Sequence, residues 1–139
     1  TGVLSLVLAM RDIKRIVATD LDDRAINCAQ DNIARLGLIS QIEILKTNLF
    51  PEEKAALIVC NPPWLPARPS SSLEHAVYDP ESQMLKGFLE NLKDHLLMGG
   101  EGWLILSDLA EHLGLRTRAE LLLWIQHAGL KVLGRLDRI

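Results

Sequence analysis

Residues 15–21 read Arg-Ile-Val-Ala-Thr-Asp-Leu, a short β-branched run that ends on an acid. Such a run predicts a β-strand. Asp22 then provides an N-cap for a helix over residues 23–36, and Gly37 provides a stop. Apolar residues spaced three and four apart predict one buried helix face, made by Ile26, Ala29, Ile33 and Leu36. A strand that leads directly into a helix is typical of α/β folds.

The rest of the chain continues this alternation. Further strands are predicted over residues 41–45, 56–60, 103–106 and 131–136, the second and third of them buried. Helices are predicted over residues 3–10, buried on most sides, from the Asp79-Pro80 cap to Gly99-Gly100, and from the capping box of Thr117 and Glu120 to about residue 127. The apolar face of the second of these helices is Met84, Phe88, Leu92 and Leu96. This order predicts a mostly parallel sheet with helices on both faces.

Composition is that of an ordinary globular domain. The chain has 139 residues, 48% of them hydrophobic and 24% charged, which suffices for one domain with a core. Its net charge of −3 lacks the basic surplus of most nucleic-acid-binding domains. Two cysteines and no leader sequence predict a reduced, cytoplasmic protein with buried thiols. The histidines have no metal-ligand spacing, and no apolar run is long enough for a membrane span, so we expect neither a metal nor a membrane partner.

A second stretch indicates where chemistry would occur. The predicted strand Ala-Leu-Ile-Val-Cys, residues 56–60, is followed by Asn61-Pro62-Pro63-Trp64. Prolines cannot donate to a sheet ladder, and each restricts the residue before it to an extended backbone, so Asn61 is held at the carboxyl end of the strand. Open α/β sheets bind their ligands at that end. The alternative is a proline-rich loop in which Trp64 fills a local core.

These residues resemble a class I S-adenosylmethionine-dependent methyltransferase, specifically the small-domain and HemK-like branch, which carries Asn-Pro-Pro followed by an aromatic residue. Three more landmarks follow the family's order, and the second of them is residues 17–22, Val-Ala-Thr-Asp-Leu-Asp, with an acid that ends the second strand. Residues 1–5, Thr-Gly-Val-Leu-Ser, are similar to the second half of the glycine-rich motif that lets the backbone approach the cofactor. Residues 47–50, Thr-Asn-Leu-Phe, stand where the family usually has an acid, often as Asp-Leu-Phe.

The resemblance implies that S-adenosylmethionine is the cofactor and assigns residues to it. Gly2 would lie close to the cofactor, Asp20 would accept both ribose hydroxyls, and Leu21 would pack near the adenine. Asn48 would accept a hydrogen bond from the adenine amine through its amide oxygen, without the charge assistance of the usual acid. The alternative for Asp20 is a helix cap, a role better suited to Asp22.

The resemblance also implies N-methylation of an amino group attached to an sp² carbon. The side-chain oxygen of Asn61 and the carbonyl of Pro62 would accept the two N–H groups, and Trp64 would stack on a planar target. Pro63 completes the rigid turn. No general base is required. Glu74 and His75, in the following loop, could touch the substrate, but solvated loop residues are the commoner interpretation.

Several functions stay open. The acceptor is an exocyclic base amine in RNA (rRNA guanine or adenine) or DNA, or a glutamine amide in a peptide-chain release factor. A partial match at Asp79-Pro80 and Gly87 favours the glutamine, although Lys86 replaces the first glycine of that motif. The partner is therefore an RNA or a protein. Other classes are a non-catalytic Rossmann-like module, which would have lost Asn61 or Asp20, and a nicotinamide-dependent oxidoreductase, which has no use for Asn-Pro-Pro-Trp.

The family's fold is a Rossmann-like, three-layer α/β sheet whose first strand lies in the middle. Residues 1–139 begin after that strand and after the first glycines of its motif. A central strand left out would expose two sheet edges in a buried place. We therefore expect residues 1–139 to be a partial methyltransferase catalytic domain, preceded by at least one strand and a recognition domain and followed by a closing antiparallel strand.

Overall fold

The computed structural model describes residues 1–66 and 77–138. Its helices and strands, in chain order, are α1 (Val3–Ala9), β1 (Ile16–Asp20), α2 (Asp23–Arg35), β2 (Ile42–Lys46), β3 (Ala55–Cys60), α3 (Gln83–His95), β4 (Leu96–Leu104), α4 (Leu109–His112) and α5 (Arg118–His127). The chain forms two compact units, Thr1–Glu53 and Lys54–Ile139. Each contains one two-stranded parallel sheet, which confirms the α/β class and the parallel pairing.

In the first unit β1 pairs with β2, so that Ile16 lies opposite Ile42 and Asp20 opposite Lys46. Ile16 and Ile42 are buried against Ile33 of α2, with half-buried apolar residues of α1 and the strands around them. Burying one such side chain contributes about 1.5–3 kcal/mol. This isoleucine cluster therefore fixes α2 on the sheet and with it the direction in which the helix leaves β1.

Both ends of α2 are determined locally. The carboxylate of Asp22 accepts hydrogen bonds from the backbone N–H groups of Arg24 (2.7 Å) and Ala25 (3.3 Å), which confirms the N-cap. Hydrogen bonds from the side chain and backbone of Arg24 lower the pKa of Asp22. Gly37, with φ of +70°, follows the helix as predicted. Leu36 is exposed and is the C-cap, one residue after the last helical residue. The rest of the predicted face is buried: Ile26, Ala29 and Ile33.

The prediction that α1 is buried on most sides is wrong. Ser5 is the one buried residue of α1, and Met10, the C-cap of the helix, is 82% exposed. Val3 and Val7 are also exposed. α1 packs on the isoleucine cluster through a single face, and no described residue covers the other.

In the second unit β3 pairs with β4, and α3 packs beside the sheet. The buried face of α3 consists of Leu85, Phe88, Leu89 and Leu92. Gly102 of β4 faces Leu92 so closely that a Cβ at this position would collide with the leucine side chain. A glycine within a strand often marks such a close approach. The absence of a side chain at Gly102 therefore lets α3 approach β4.

The boundary between α3 and β4 differs from the prediction. α3 ends at His95, and Leu96, predicted to lie on the helix, pairs with Ala55 in the sheet. Gly99 and Gly100 lie inside β4, where the strand register shifts. Gly99 has φ of +75°, a conformation that suits a β-bulge. The glycine pair therefore bulges a strand and does not terminate a helix, since the chain passes from helix to strand without a turn.

The sheet of the second unit is less buried than predicted. None of the six residues of β3 is buried, and Trp103 of β4 is 57% exposed. β4 also ends at Leu104, before the predicted Leu106. The predictions that these two strands are buried are wrong: the residues of β3 are half-buried or exposed, and Trp103 and Ile105 are exposed.

The last third of the chain mixes confirmed and corrected predictions. Thr117 Oγ1 accepts from the backbone N–H of Glu120 (3.1 Å), and the Glu120 carboxylate accepts from the N–H of Thr117 (2.7 Å), so the capping box is confirmed. The hydrogen bonds that the Glu120 carboxylate accepts from the N–H and the hydroxyl of Thr117 lower the pKa of Glu120. The short helix α4 was not predicted. The predicted strand over residues 131–136 is wrong: this segment has no regular structure, and Leu133 and Leu136 are exposed, with no partner strand among the described residues.

Candidate cofactor and acceptor sites

The first candidate site lies at the carboxyl ends of β1 and β2. Asp20, the last residue of β1, pairs with Lys46, the last residue of β2. The backbone N–H of Thr47 donates to the carbonyl of Asp20 (3.1 Å), which extends the pairing by one step. Asn48 therefore follows directly beside the end of β1. The structure thus brings together three of the residues assigned to the cofactor, namely Asp20, Leu21 and Asn48.

Asp20 and Leu21 expose opposite kinds of surface at this edge. One carboxylate oxygen of Asp20 accepts from the backbone N–H of Asp22 (3.0 Å), and the side chain is otherwise exposed. Each carboxylate oxygen has further lone pairs for incoming hydroxyl donors. Leu21 is 58% exposed. A fixed acceptor beside an uncovered apolar side chain is suited to a ribose next to a flat base. The helix N–H groups of α2 are capped by Asp22 and not by Asp20, so the alternative of a helix-cap role for Asp20 is wrong.

The loop that carries Asn48 is held in an unusual conformation. Leu49 has φ of +64°, in the left-handed region that non-glycine residues rarely adopt. The hydroxyl of Thr19 donates to the carbonyl of Leu49 (2.7 Å), and the N–H of Phe50 donates to the carbonyl of Asn48 (2.8 Å). These bonds tie the loop to β1, and the Asn48 side chain is exposed. Strain of this kind is commonest at ligand sites.

Gly2 has a structural role that the sequence analysis did not include. It is the N-cap of α1 with φ of +74°, and a Cβ on it would lie 3.2 Å from the Cβ of Ala29. The side-chain amide of Asn32 donates to the carbonyl of Thr1 (3.1 Å). The start of α1 is thus packed against the middle of α2. Close approach of two helices already explains a glycine here, whereas its role toward a cofactor stays a prediction.

Replacing Gly2 by alanine is expected to destabilise the protein by about 1–2 kcal/mol from backbone strain alone, and by more because of the contact with Ala29. Gly37 is the matched control, since its φ is +70° and nothing lies within 4 Å of its would-be Cβ. Urea unfolding of Gly2→Ala and Gly37→Ala separates the two effects. Equal losses in the two variants would show that the approach to Ala29 carries no free energy.

The residues at the first site fit S-adenosylmethionine in kind. Asp20 is an exposed acceptor for a hydroxyl pair, Leu21 is an apolar surface for a purine face, and Asn48 provides an amide that both donates and accepts. This donor and acceptor set matches an adenosine. These three residues match only the adenosine part of the cofactor.

The second candidate site lies in the other unit, at the carboxyl end of β3. The N–H of Ile105 donates to the carbonyl of Cys60 (2.9 Å), so the sheet is paired up to the residue before Asn61. Pro62 is fully buried, and Pro63 is half-buried. Trp64, which the alternative interpretation places in a local core, is instead 36% exposed. Pro62 is the residue of the turn that is buried, whereas Asn61, before it in the sequence, and Trp64, two residues after it, are exposed.

An isolated bridge between Leu65 and Tyr78 fixes the backbone after the prolines. The N–H groups of Trp64 (3.0 Å) and Leu65 (2.9 Å) both donate to the carbonyl of Val77, and the N–H of Asp79 donates to the carbonyl of Leu65 (2.7 Å). The turn is therefore held by Pro62 burial and by this pairing. Glu74 and His75 lie outside the described residues.

The side chains of Asn61 and Trp64 meet. The indole N–H of Trp64 donates to the amide oxygen of Asn61 at 3.1 Å. This contact was not predicted from the sequence. A usable signal was present, because tryptophan, unlike phenylalanine and tyrosine, carries a ring N–H, and here it stands three residues after an asparagine. The atom assigned to accept the substrate amine therefore already accepts one internal hydrogen bond.

Asp79 secures this turn in a way that sequence reasoning missed. Its carboxylate is buried and accepts from the N–H groups of Met84 (2.9 Å) and Leu85 (3.0 Å), the first turn of α3. α3 begins at Gln83, after a 3-10 turn (Pro80–Ser82) in which Glu81 and Ser82 both have φ of +56°. The predicted cap thus acts from four residues before the helix. One residue links the Asn61 turn to α3.

Replacing Asp79 by alanine is expected to lower the free energy of unfolding by about 2–3 kcal/mol, because two N–H groups at a helix end lose a charged acceptor. Glu90, exposed on the same helix, is the control, and Glu90→Ala should change stability by no more than about 0.5 kcal/mol. Chemical unfolding of both variants tests this. An Asp79→Ala protein as stable as the control would mean that other groups satisfy the start of α3.

Burial changes the pKa of two groups in this unit, the thiol of Cys60 and the guanidinium of Arg116. Burial raises the pKa of the Cys60 thiol to about 12, so it stays protonated at neutral pH. Cys28 is exposed, which corrects the prediction of two buried thiols. Arg116 is 3% exposed, and burial lowers its pKa, against the opposing effect of the Glu111 and Asp79 carboxylates.

Other classes of site are not seen in the described ranges 1–66 and 77–138. Within them no group of three or more His, Cys, Asp or Glu side chains could hold a metal ion. No helix there is long and apolar enough to cross a membrane. His95, His112 and His127 are each the last residue of a helix.

Comparison with known proteins gives matches to methyltransferases. The family model of ribosomal protein L11 methyltransferase (PrmA) matches residues 1–63. A tRNA1(Val) (adenine(37)-N6)-methyltransferase of Parabacteroides distasonis is 39% identical over 69 residues, 46% of this chain and 29% of the relative. A release factor glutamine methyltransferase of Leptospira interrogans is 37% identical over 98 residues, 67% and 34% of the two chains. A second tRNA1(Val) (adenine(37)-N6)-methyltransferase, from Bacteroides thetaiotaomicron, is 33% identical over 104 residues, 67% and 44%.

The chain spans less than half the length of each of these three relatives. No solved structure matches it. The relatives differ in the acceptors that their names state, but the family model and all three relatives are methyltransferases. With the parallel α/β units and the residues at their strand ends, these similarities support a class I S-adenosylmethionine-dependent methyltransferase.

Proposed function

We propose that the protein is an S-adenosylmethionine-dependent N-methyltransferase of the small-domain and HemK-like branch, acting on an amino group attached to an sp² carbon. The observation that carries this proposal is the exposed carboxamide of Asn61 at the end of β3, on a backbone fixed by the buried Pro62. A rigidly placed amide oxygen is the type of group that holds an amine in one orientation for attack.

For the cofactor, the proposal uses the edge formed by β1 and β2. Asp20 accepts the ribose hydroxyls, Leu21 packs on the adenine, and Asn48 accepts from the adenine amine. Gly2 lies near the cofactor through the start of α1. The exposed side chains of the first three residues support this assignment. When bound, S-adenosylmethionine supplies an activated methyl group on a sulfonium.

For the acceptor, the proposal uses the Asn61 turn. A nitrogen on an sp² carbon is a poor nucleophile because its lone pair is delocalised. The Asn61 amide oxygen accepts one of its N–H groups and favours the pyramidal nitrogen. The second N–H is assigned to the Pro62 carbonyl, which belongs to a fully buried residue in this structure, so the acceptor has to displace part of its cover to reach it. Pro63 keeps the turn rigid. Trp64, with part of its ring uncovered, stacks on a planar acceptor, a contact worth about 1–3 kcal/mol for a nucleic-acid base. The chain's role is orientation and hydrogen bonding, without a general base.

An exocyclic base amine in RNA is the acceptor that we propose. Two of the relatives are named for the N6 amine of adenine in a tRNA, and one of them is 39% identical where it matches. The exposed indole of Trp64 suits a base more than a side-chain amide, because a base has an aromatic ring for stacking and an amide has none. RNA is then the partner.

A glutamine amide of a release factor is the second candidate. The relative from Leptospira interrogans carries that name and matches 67% of this chain. Asp79-Pro80, the partial match to the glutamine-modifying branch, lies in the structure as part of the turn's support. An amide nitrogen also presents two N–H groups on an sp² carbon, so the same two acceptors could hold it.

A tritiated methyl-transfer assay on the full-length protein distinguishes the two acceptors. Deproteinised RNA and a ribosome-free protein extract are offered separately. Label that nuclease removes supports the RNA base, and label that protease removes supports the glutamine. Cofactor binding without label in either fraction would contradict both and favour a non-catalytic Rossmann-like module.

A further inference from the structure

The hydrogen bond between Trp64 and Asn61 joins two side chains whose backbones are independently fixed. Asn61 precedes the fully buried Pro62, and the N–H of Trp64 is bonded to the carbonyl of Val77. Both side chains are exposed, so neither is oriented by packing in a core. The freedom that remains is rotation of the Asn61 side chain, and the bond to the indole restricts it.

The chemistry of the two groups also decides which amide atom faces the indole. The Nε1–H of tryptophan only donates, so the atom of Asn61 that faces it is the oxygen and not the NH₂ group. An asparagine amide in water can flip with little change in free energy. Here a flip would set two donors against each other at 3.1 Å. The indole therefore specifies which end of the amide takes which direction.

We infer that the indole N–H of Trp64 is a positioning group, which keeps the amide oxygen of Asn61 in the orientation used for methyl transfer. The inference rests on the proposed function. An amide oxygen has two lone pairs, so Asn61 can accept from Trp64 and from one N–H of the acceptor at the same time. Trp64 thus acts through its edge on Asn61 and through its face on the acceptor.

This role makes tryptophan different from the other aromatic residues at this position. Phenylalanine has no donor, and the hydroxyl of tyrosine lies at the far end of the ring. Either can stack, but neither can reach Asn61 with the same donor. A stacking role alone predicts that aromatic replacements keep the catalytic rate, whereas a positioning role predicts that they lower it.

The test compares Trp64→Phe with Trp103→Phe in the full-length protein. Trp103 is a matched control, because its indole N–H donates to the Glu101 carboxylate (2.9 Å) on the exposed part of β4. Trp64→Phe should lower kcat about three- to tenfold, the expected effect of one net hydrogen bond. The KM for the acceptor should change by no more than about twofold, since the aromatic face remains. Trp103→Phe should keep the wild-type kcat.

A second readout does not depend on activity. Residues 1–139 contain three tryptophans, and each contributes one indole N–H resonance to the spectrum of the ¹⁵N-labelled protein; the resonance that disappears in Trp64→Phe is that of Trp64. Asn61→Ala should shift the Trp64 resonance and leave that of Trp103 in place, and Glu101→Ala should do the reverse. An unshifted Trp64 resonance in Asn61→Ala, or a wild-type kcat in Trp64→Phe, would overturn the inference alone. Wild-type protein that transfers no methyl group would overturn the proposed function and the inference with it.

Discussion

Replacing Asn61 by alanine is expected to lower methyl transfer at least about 100-fold, the loss typical of removing one preorganised hydrogen-bonding group from an active site. Binding of S-adenosylhomocysteine should stay within about twofold of wild type, because Asn61 is assigned to the acceptor and not to the cofactor. Folding should be unaffected, since the side chain is exposed and the turn is held by Pro62 and by the pairing with Val77.

The measurements for Asn61 are single-turnover transfer of a labelled methyl group and calorimetric titration with S-adenosylhomocysteine. Asn91→Ala is a control for asparagine replacement, because Asn91 is exposed on α3 and bonds to the carbonyl of Gly87 in its own helix. That variant should match wild type in both measurements. If Asn61→Ala lost cofactor affinity and transfer to the same extent, Asn61 would have to be reassigned to the cofactor.

The reverse pattern is expected for Asp20. Asp20→Ala should weaken binding of S-adenosylhomocysteine about 10- to 100-fold, because hydrogen bonds to a charged group contribute about 1.5–3 kcal/mol. At saturating cofactor the rate of transfer should recover most of its wild-type value, since the carboxylate contacts a part of the cofactor that does not react.

Two companions sharpen the Asp20 experiment. Asp31→Ala removes an exposed carboxylate from α2, in the same unit, and should leave cofactor affinity unchanged. Asp20→Asn keeps one oxygen acceptor and removes the charge, so its affinity should fall between those of Asp20→Ala and wild type. A wild-type affinity in Asp20→Ala would indicate that the carboxylate serves only its bond to the N–H of Asp22.

The parts of the fold that could be predicted from the sequence are those with local causes. Asp22, Gly37 and the Thr117–Glu120 pair act within a few residues of their own positions, so their roles are legible in the chain itself. The apolar spacing of α2 is likewise a local pattern. Boundaries decided by pairing were mistaken. Leu96 has a helical spacing from Leu92, but its partner Ala55 lies far away in the sequence and draws it into a strand.

The same division applies to the sites. The positions of Asp20, Leu21 and Asn48 at one sheet edge follow from strands that end on polar residues, and Asn61 at the end of β3 follows from the two prolines. The contacts of Gly2 with Ala29 and of Asp79 with α3 join segments that no local pattern relates. The strand over residues 131–136 and the burial of residues 56–60 were both predicted from apolar composition. That composition shows the tendency of a segment to be buried but not which other residues would cover it.

The division of labour within the Asn61 turn has a consequence for how such an enzyme could change its acceptor. The backbone of the turn is held by Pro62, Val77 and Asp79, whereas the side chains of Asn61 and Trp64 face outward and are exposed. Libraries of all residues except proline at these two positions should therefore yield folded protein, since proline at position 64 would remove the N–H that bonds to Val77. A change of acceptor amine would then require substitutions at only these two positions, on an unchanged backbone, whether the substitutions arise by engineering or by evolution.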